Sequence, residues 1–279
     1  MRMRAALAVS LLVLAAGATA VAEEVRSVAV VTQVQGAVFY RTSITLSNGN
    51  ATVTTPVEML FSYRSPADGT FQTTTLALNP ALGPHRVRFF DDIIQAFKDA
   101  GRIRAADASR GLFGTLLVTY AALDIRAEAG VVARTYSPGP TGGTLGIAYE
   151  GRCFCETGSR FRVLAAGRDG DFGSDGSTRA NLGIVNEGFG PSDVRITYYD
   201  GATGVQLRQF FLGDVIGHDL EENEVYQINN VFNDSAIPAS VNTLVIQVEA
   251  QTADVYVSGY IVQLDNTTQD GSFFFGFEE

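Results

Sequence analysis

The strongest constraint on the fold of this 279-residue chain is an internal repeat. "YRTSITLSN" (Tyr40 to Asn48) matches "TRANLGIVN" (Thr178 to Asn186) in its arginine, its alternating apolar positions and its closing asparagine. Each leads through a polar segment into a second pair, "VEMLFSYRSPADGT" and "VRITYYDGATG", ending in turns rich in Asp and Gly. Further on, "FFDDIIQAF" answers "VYQINNVF", and "GTLLVTY" (Gly114 to Tyr120) answers "NTLVIQV" (Asn242 to Val248). Last, "GVVARTYS" (Gly130 to Ser137) answers "DVYVSGYIV" (Asp254 to Val262). The offset falls from 138 residues at the start to about 124 at the end, as small loop deletions would make it.

Each copy reads as mostly β. Its apolar segments are short, alternate in polarity and favour Val, Ile, Thr, Tyr and Phe. No crossover helices are spaced to support a parallel sheet, so antiparallel pairing is expected. One segment breaks the pattern. In "DDIIQAFKDAG", Ile93, Ile94 and Phe97 share one side of a helical turn, acids stand at the front and Gly101 can stop it. "INNVFND" is its shortened counterpart. The expected architecture is all-β: two tandem antiparallel β-sandwich domains, with a short helix in at least the first. Residues 25–150 form the first, 151–162 the junction and 163–279 the second. A single continuous β structure built from both copies is the competing geometry.

Several stretches resemble the tandem immunoglobulin-like β-sandwich repeats of secreted bacterial proteins. Arg179, Asn181, Leu182 and Asn186 match their R-x-N-L-x-L-x-N strand. Tyr199, Asp200 and Gly201 match the tyrosine-aspartate-glycine turn; Tyr260, Asp265, Asn266, Thr268 and Asp270 match the closing strand and its D-N-x-T-x-D segment. The first copy departs, with Ser43 where the second has Asn181 and "SPGPTGGT" in place of the closing segment. The resemblance implies immunoglobulin-like units and supplies no catalytic residues.

The N-terminus carries the parts of a secretory signal peptide, expected at 1–22. Arg2 and Arg4 precede "AALAVSLLVLAAGA", and small residues stand before cleavage points after Ala20 or Ala22. The expected location is therefore secreted, periplasmic or cell-surface, with no transmembrane segment in the mature chain. Removing the two arginines leaves about 18 basic against 30 acidic side chains, a net charge of about −12. That surface disfavours nucleic acid and suits cations. The only two cysteines, Cys153 and Cys155, lie in "GRCFCET", where a strand would point them the same way. They can bridge locally or pair with other chains; the spacing is not that of a redox loop.

Chemistry is sparse. Asp169, Asp171 and Asp175 in "GRDGDFGSDG" space carboxylates like calcium ligands, although the loop lacks the ligand order of an EF-hand. Asp265 and Asp270 in "LDNTTQDG" make a weaker oxygen-rich loop, better explained by turn formation. A structural calcium is the one cofactor to consider. Arg41, Arg179, Asn48 and Asn186 read as scaffold, and the acidic run "DLEENE" as a solvated turn. The two histidines, His85 and His218, stand in no catalytic motif. The doublets Phe39/Tyr40, Phe89/Phe90, Tyr198/Tyr199 and Phe210/Phe211 each turn one ring away from the core if they lie on strands. The tail "GSFFFGFEE" closes the last sheet or offers a β-prone patch. The expected function is non-catalytic binding of a protein or carbohydrate outside the cytoplasm. The alternatives are assembly through exposed β edges and, behind it, a secreted hydrolase, for which one histidine and two carboxylates in an open cleft are the minimum.

Overall fold

The computed structural model describes residues 23–35, 39–121, 129–139, 142–153, 158–165, 178–253, 255–265 and 271–278. They form an all-β molecule with antiparallel pairing throughout the described strands. In the first half, β1 (Glu23–Gln35), β2 (Phe39–Asn48), β3 (Val57–Arg64), β4 (Phe71–Ala77) and β5 (Arg86–Phe90) precede helix α1 (Ile93–Asp99). Then come β6 (Leu112–Ala121), β7 (Ala129–Pro138), β8 (Thr144–Glu150) and the two-residue β9 (Arg152–Cys153). One layer runs β4-β3-β6-β1, with β9 on β1; the other runs β2-β7-β8, with β5 on β2. β1 joins them. It pairs with β6 for most of its length, shifts register between Val28 and Val31, and ends against β2 through Gln33–Arg41, Val34–Tyr40 and Gln35–Phe39.

The second half contains β10 (Arg160–Ala165), β11 (Thr178–Asn186), β12 (Val194–Asp200), β13 (Gln206–Phe211), the short helix α2 (Leu212–Ile216) and β14 (Val225–Ile228). It closes with β15 (Leu244–Ala250), β16 (Val257–Asp265), β17 (Gly271–Phe275) and β18 (Phe277–Glu278). Its sheets run β13-β12-β15-β10-β18 and β14-β11-β16-β17. Strand for strand, that order matches β4-β3-β6-β1-β9 and β5-β2-β7-β8. Arg152 and Cys153, inside the expected junction, pair with β1 just as β18 pairs with β10.

Register fixes which residues correspond, and it revises two of the alignments read from the sequence. Val57 pairs Tyr120 and Val194 pairs Ala250, so Tyr120 answers Ala250 rather than Val248. Ile44 pairs Ala133 and Leu182 pairs Ile261, so Ala133 answers Ile261. Both errors are even slips, which leave every side chain on its own face of the strand and so leave the alternation intact.

Local chemistry explains the shared frame. Asn48 Nδ2 donates to the carbonyls of Val53 (2.8 Å) and Leu82 (3.0 Å), and its Oδ1 accepts from Asn50 N at 2.9 Å. Asn186 repeats this with Gly190 O (2.9 Å), Leu220 O (2.8 Å) and Gly188 N (2.9 Å). Both asparagines are buried, so each satisfies backbone groups that water cannot reach. Helix α1 forms as its pattern predicts. Asp92 caps it by accepting from Gln95 N, Ile93, Ile94 and Phe97 are buried, and Gly101 follows at φ +66°. Its counterpart is a single 3₁₀ turn, Val231–Asn233, which still buries Val231 and Phe232.

Two cores result. Leu182, Ile184 and Ile261 face Ile196, Tyr198, Ile246 and Val248 inside the second half. The larger core belongs to the first half, yet it also takes in Val185, Val225, Tyr260 and Val262 from the opposite face of the β14-β11-β16 sheet. The two halves therefore pack sheet against sheet, the outer face of β3-β6-β1 lying on the outer face of β14-β11-β16-β17. Tyr260 lies flat there because Gly183 has no side chain: a Cβ would sit 1.9 Å from its ring.

Candidate functional site

The seam between the halves is polar at its edges. Arg64 forks onto Glu224, Nε to Oε1 at 2.6 Å and Nη2 to Oε2 at 2.8 Å. Thr115 Oγ1 donates to Asn223 O, and Ser27 Oγ to Glu187 Oε1 at 2.6 Å. Glu187 is buried, and burial raises its carboxyl pKa above the ordinary value despite the Ser27 and Ser258 hydrogen bonds and nearby Arg152. Glu224, read from the sequence as part of a solvated acidic turn, is instead 4 % exposed and held across the seam. The run looks solvated only because its partner, Arg64, lies 160 residues away.

At one end the seam opens into a cavity of about 400 Å3. The first half supplies Val30 and Val34 from β1, Phe113 from β6 and Ile147 from β8; the second adds Val262, Leu264 and Phe273. Phe273 stacks between Tyr149 (centroids 4.5 Å) and Tyr260 (4.8 Å). Burial pushes both phenols well above their ordinary pKa, so they remain neutral donors at any physiological pH. Tyr149 donates to the Val30 carbonyl. The first half adds the hydroxyls of Thr32, Tyr40, Thr135 and Tyr149, while the amides and the guanidinium come from the second half: Arg179 and Asn181 of β11, and Gln227 and Asn229 at β14. Asn181 Oδ1 accepts from Asn230 N (2.9 Å), and Gln227 Nε2 donates to Asn229 Oδ1 (2.8 Å), which fixes the orientation of the amides. Arg179 and Asn181 lie on the same sheet face as their cross-strand neighbours Leu264 and Val262, so apolar and polar groups alternate along the lining, which suits a ligand that is itself part apolar and part hydroxyl- or carbonyl-bearing.

A second cleft, along the Arg64–Glu224 fork, holds His218, whose Nε2 lies 3.4 Å from Glu224 Oε1. Among the described residues it contains one histidine and one carboxylate, short of the set a hydrolase asks for. His85 is exposed in a left-handed turn (φ 51°).

Of the expected metal ligands, Asp169, Asp171, Asp175 and Asp270 lie outside the described residues. Asp265 ends β16 opposite Thr178. Among the described residues no group of three or more His, Cys, Asp or Glu side chains is placed to hold a metal. Cys153 is disulfide-bonded, and Cys155 lies outside the described residues. Arg41 pairs with Asp91 at 3.0 Å under the Tyr136 ring, a scaffold role; Arg179 instead faces the cavity. The tail does pair within its own sheet, but it also places Phe273 in the seam. The cavity itself was not foreseen, since nothing in either copy alone marks which sheet face meets the other half. No described helix is long and apolar enough to cross a membrane.

No family model and no curated protein matches this chain. Among solved structures, the apo lectin of Pleurotus ostreatus aligns at 11% identity over 86% of this chain and 76% of its own, with a TM-score of 0.15. The same lectin in complex with GalNAc aligns at 10% identity over 85% and 75%, with a TM-score of 0.14. Scores this low carry no argument about fold or ligand.

Proposed function

We propose that this chain is an exported binding protein made of two copies of one immunoglobulin-like β-sandwich unit. Its ligand, a neutral saccharide or saccharide-like molecule, sits in the cavity between the copies. The observation that carries this reading is the cavity lining, which interleaves Phe273 and aliphatic side chains with Arg179, Asn181, Gln227 and Asn229. A sugar ring offers a C–H face to an aromatic and hydroxyls to amides and a guanidinium, so the lining matches it group for group. Support for two copies of one unit is the identical pairing order and the matching asparagine networks.

Titration calorimetry against a panel of neutral mono- and oligosaccharides tests the ligand. At least one should bind, and Gln227→Ala and Arg179→Ala should each weaken it about tenfold, or ~1.4 kcal/mol. Failure of every saccharide, or binding indifferent to both substitutions, overturns the proposal. Export is tested by mass spectrometry of the mature protein, which should begin after Ala20 or Ala22. The calcium expectation at Asp169, Asp171 and Asp175 is carried as a proposal. Calcium should raise the melting temperature of the wild type and not of a variant with all three changed to Asn.

A further inference from the structure

The seam that joins the halves uses two different faces, and each half owns both. The second half contributes the outer face of its four-stranded sheet, the first half the outer face of its β3-β6-β1 layer. Two faces are left over: the four-stranded face of the first half and the five-stranded face of the second. They are the same two partners, in the same order.

Register places the leftover residues. Ile44 pairs Phe90 and Leu182 pairs Ile228, so Val87 and Phe89 hold the places of Val225 and Gln227, and Val132 that of Tyr260. In the second half these positions lie in the seam. In the first half Val87, Phe89 and Val132 are 62%, 58% and 44% exposed, a cluster of apolar side chains on one sheet face. On the receiving side, Phe61 pairs Leu116 and Tyr198 pairs Ile246, so the seam residues Ser62 and Thr115 correspond to Tyr199 and Val245, both only partly buried. His85 and Asn223 correspond too, each in a left-handed turn, and Asn223 O is what Thr115 reaches across the seam. By the same register the Arg195–Glu249 ion pair corresponds to Glu58 and Thr119, of which Glu58 is exposed.

We propose that a second copy of this chain seats the Tyr199–Val245 face of its second half on the Val87–Phe89–Val132 face of the first half, repeating between molecules the contact made within one. The contact is head-to-tail and joins two different surfaces, so a dimer made by one such contact leaves one face of each kind uncovered and successive chains can add.

Light scattering of the exported full chain across a hundredfold concentration range tests this. The mass average should rise above one chain. Phe89→Asp and Val245→Asp should each hold it at one chain over the same range, while an equimolar mixture of the two variants should form a dimer and stop there, because each retains the face the other lacks. Tyr199→Glu should behave like Val245→Asp and replaces it if that variant does not fold. A wild type that stays at one chain mass overturns the proposal. So does a two-fold pairing in which Phe89→Asp dissociates the assembly and both receiving-face variants leave it intact.

Discussion

The four-stranded outer faces of the two halves share strand order and register but have opposite surroundings. In the second half the face carries Val185, Val225, Tyr260 and Val262 and is covered by the first half. In the first half the same frame carries Ser47, Val87, Val132 and Arg134 and faces solvent. A β-sandwich frame thus sets where side chains point, and the neighbouring sheet decides what burying them contributes. Gly183 beneath Tyr260 shows the adjustment, since its place in the first half is held by Thr45.

The largest test of that contrast is the pair Tyr260→Ala and Val132→Ala. Truncating the buried ring should cost about 3–5 kcal/mol by denaturant unfolding, and its exposed counterpart no more than about 0.5 kcal/mol. Equal losses would break the comparison. Next come Asn48→Ala and Asn186→Ala, which strip the three hydrogen bonds the two share, together with a fourth from Asn48 to the Gly83 carbonyl, and should each cost about 2–3 kcal/mol. Here the halves should agree. Arg64→Ala should cost about 1–2 kcal/mol, discounted because Arg64 is one-third exposed, and should loosen the seam, seen as faster proteolysis at the junction. The smallest effect is pH-dependent. Glu187 titrates above its unfolded value, so its penalty is absent below the ordinary glutamate pKa of about 4.3 and grows as pH rises through the raised folded value. Melting temperatures of Glu187→Gln and wild type should coincide near pH 4, the variant gaining on the wild type toward neutrality; a constant difference would sink the assignment.

Much of the frame was legible because alternation, turn residues and helix caps act locally. The strands, α1 and the paired asparagines are all readable from segments of ten residues. The seam was not. Val87-Arg88-Phe89 and Val225-Tyr226-Gln227 are both ordinary strand text, and only the position of a distant sheet makes one an exterior and the other an interior. The Arg64–Glu224 fork and the cavity rim depend on that same long-range placement. Asp107 was overlooked for a related reason: fully buried, it accepts from Tyr63 Oη and Ser65 Oγ, partners far away in sequence. The calcium-like spacing of Asp169, Asp171 and Asp175 falls outside the described residues.

The last strands also set a schedule for folding. β10 pairs with β18, so Phe161 waits for Glu278 just as Arg26 waits for Cys153. Each half is completed only when its own final residues return to its first strand, and closing such loops costs entropy before any contact repays it. During synthesis, therefore, the first half can close while the second is still being made, and the face it offers at the seam stands uncovered until β16 and β17 arrive.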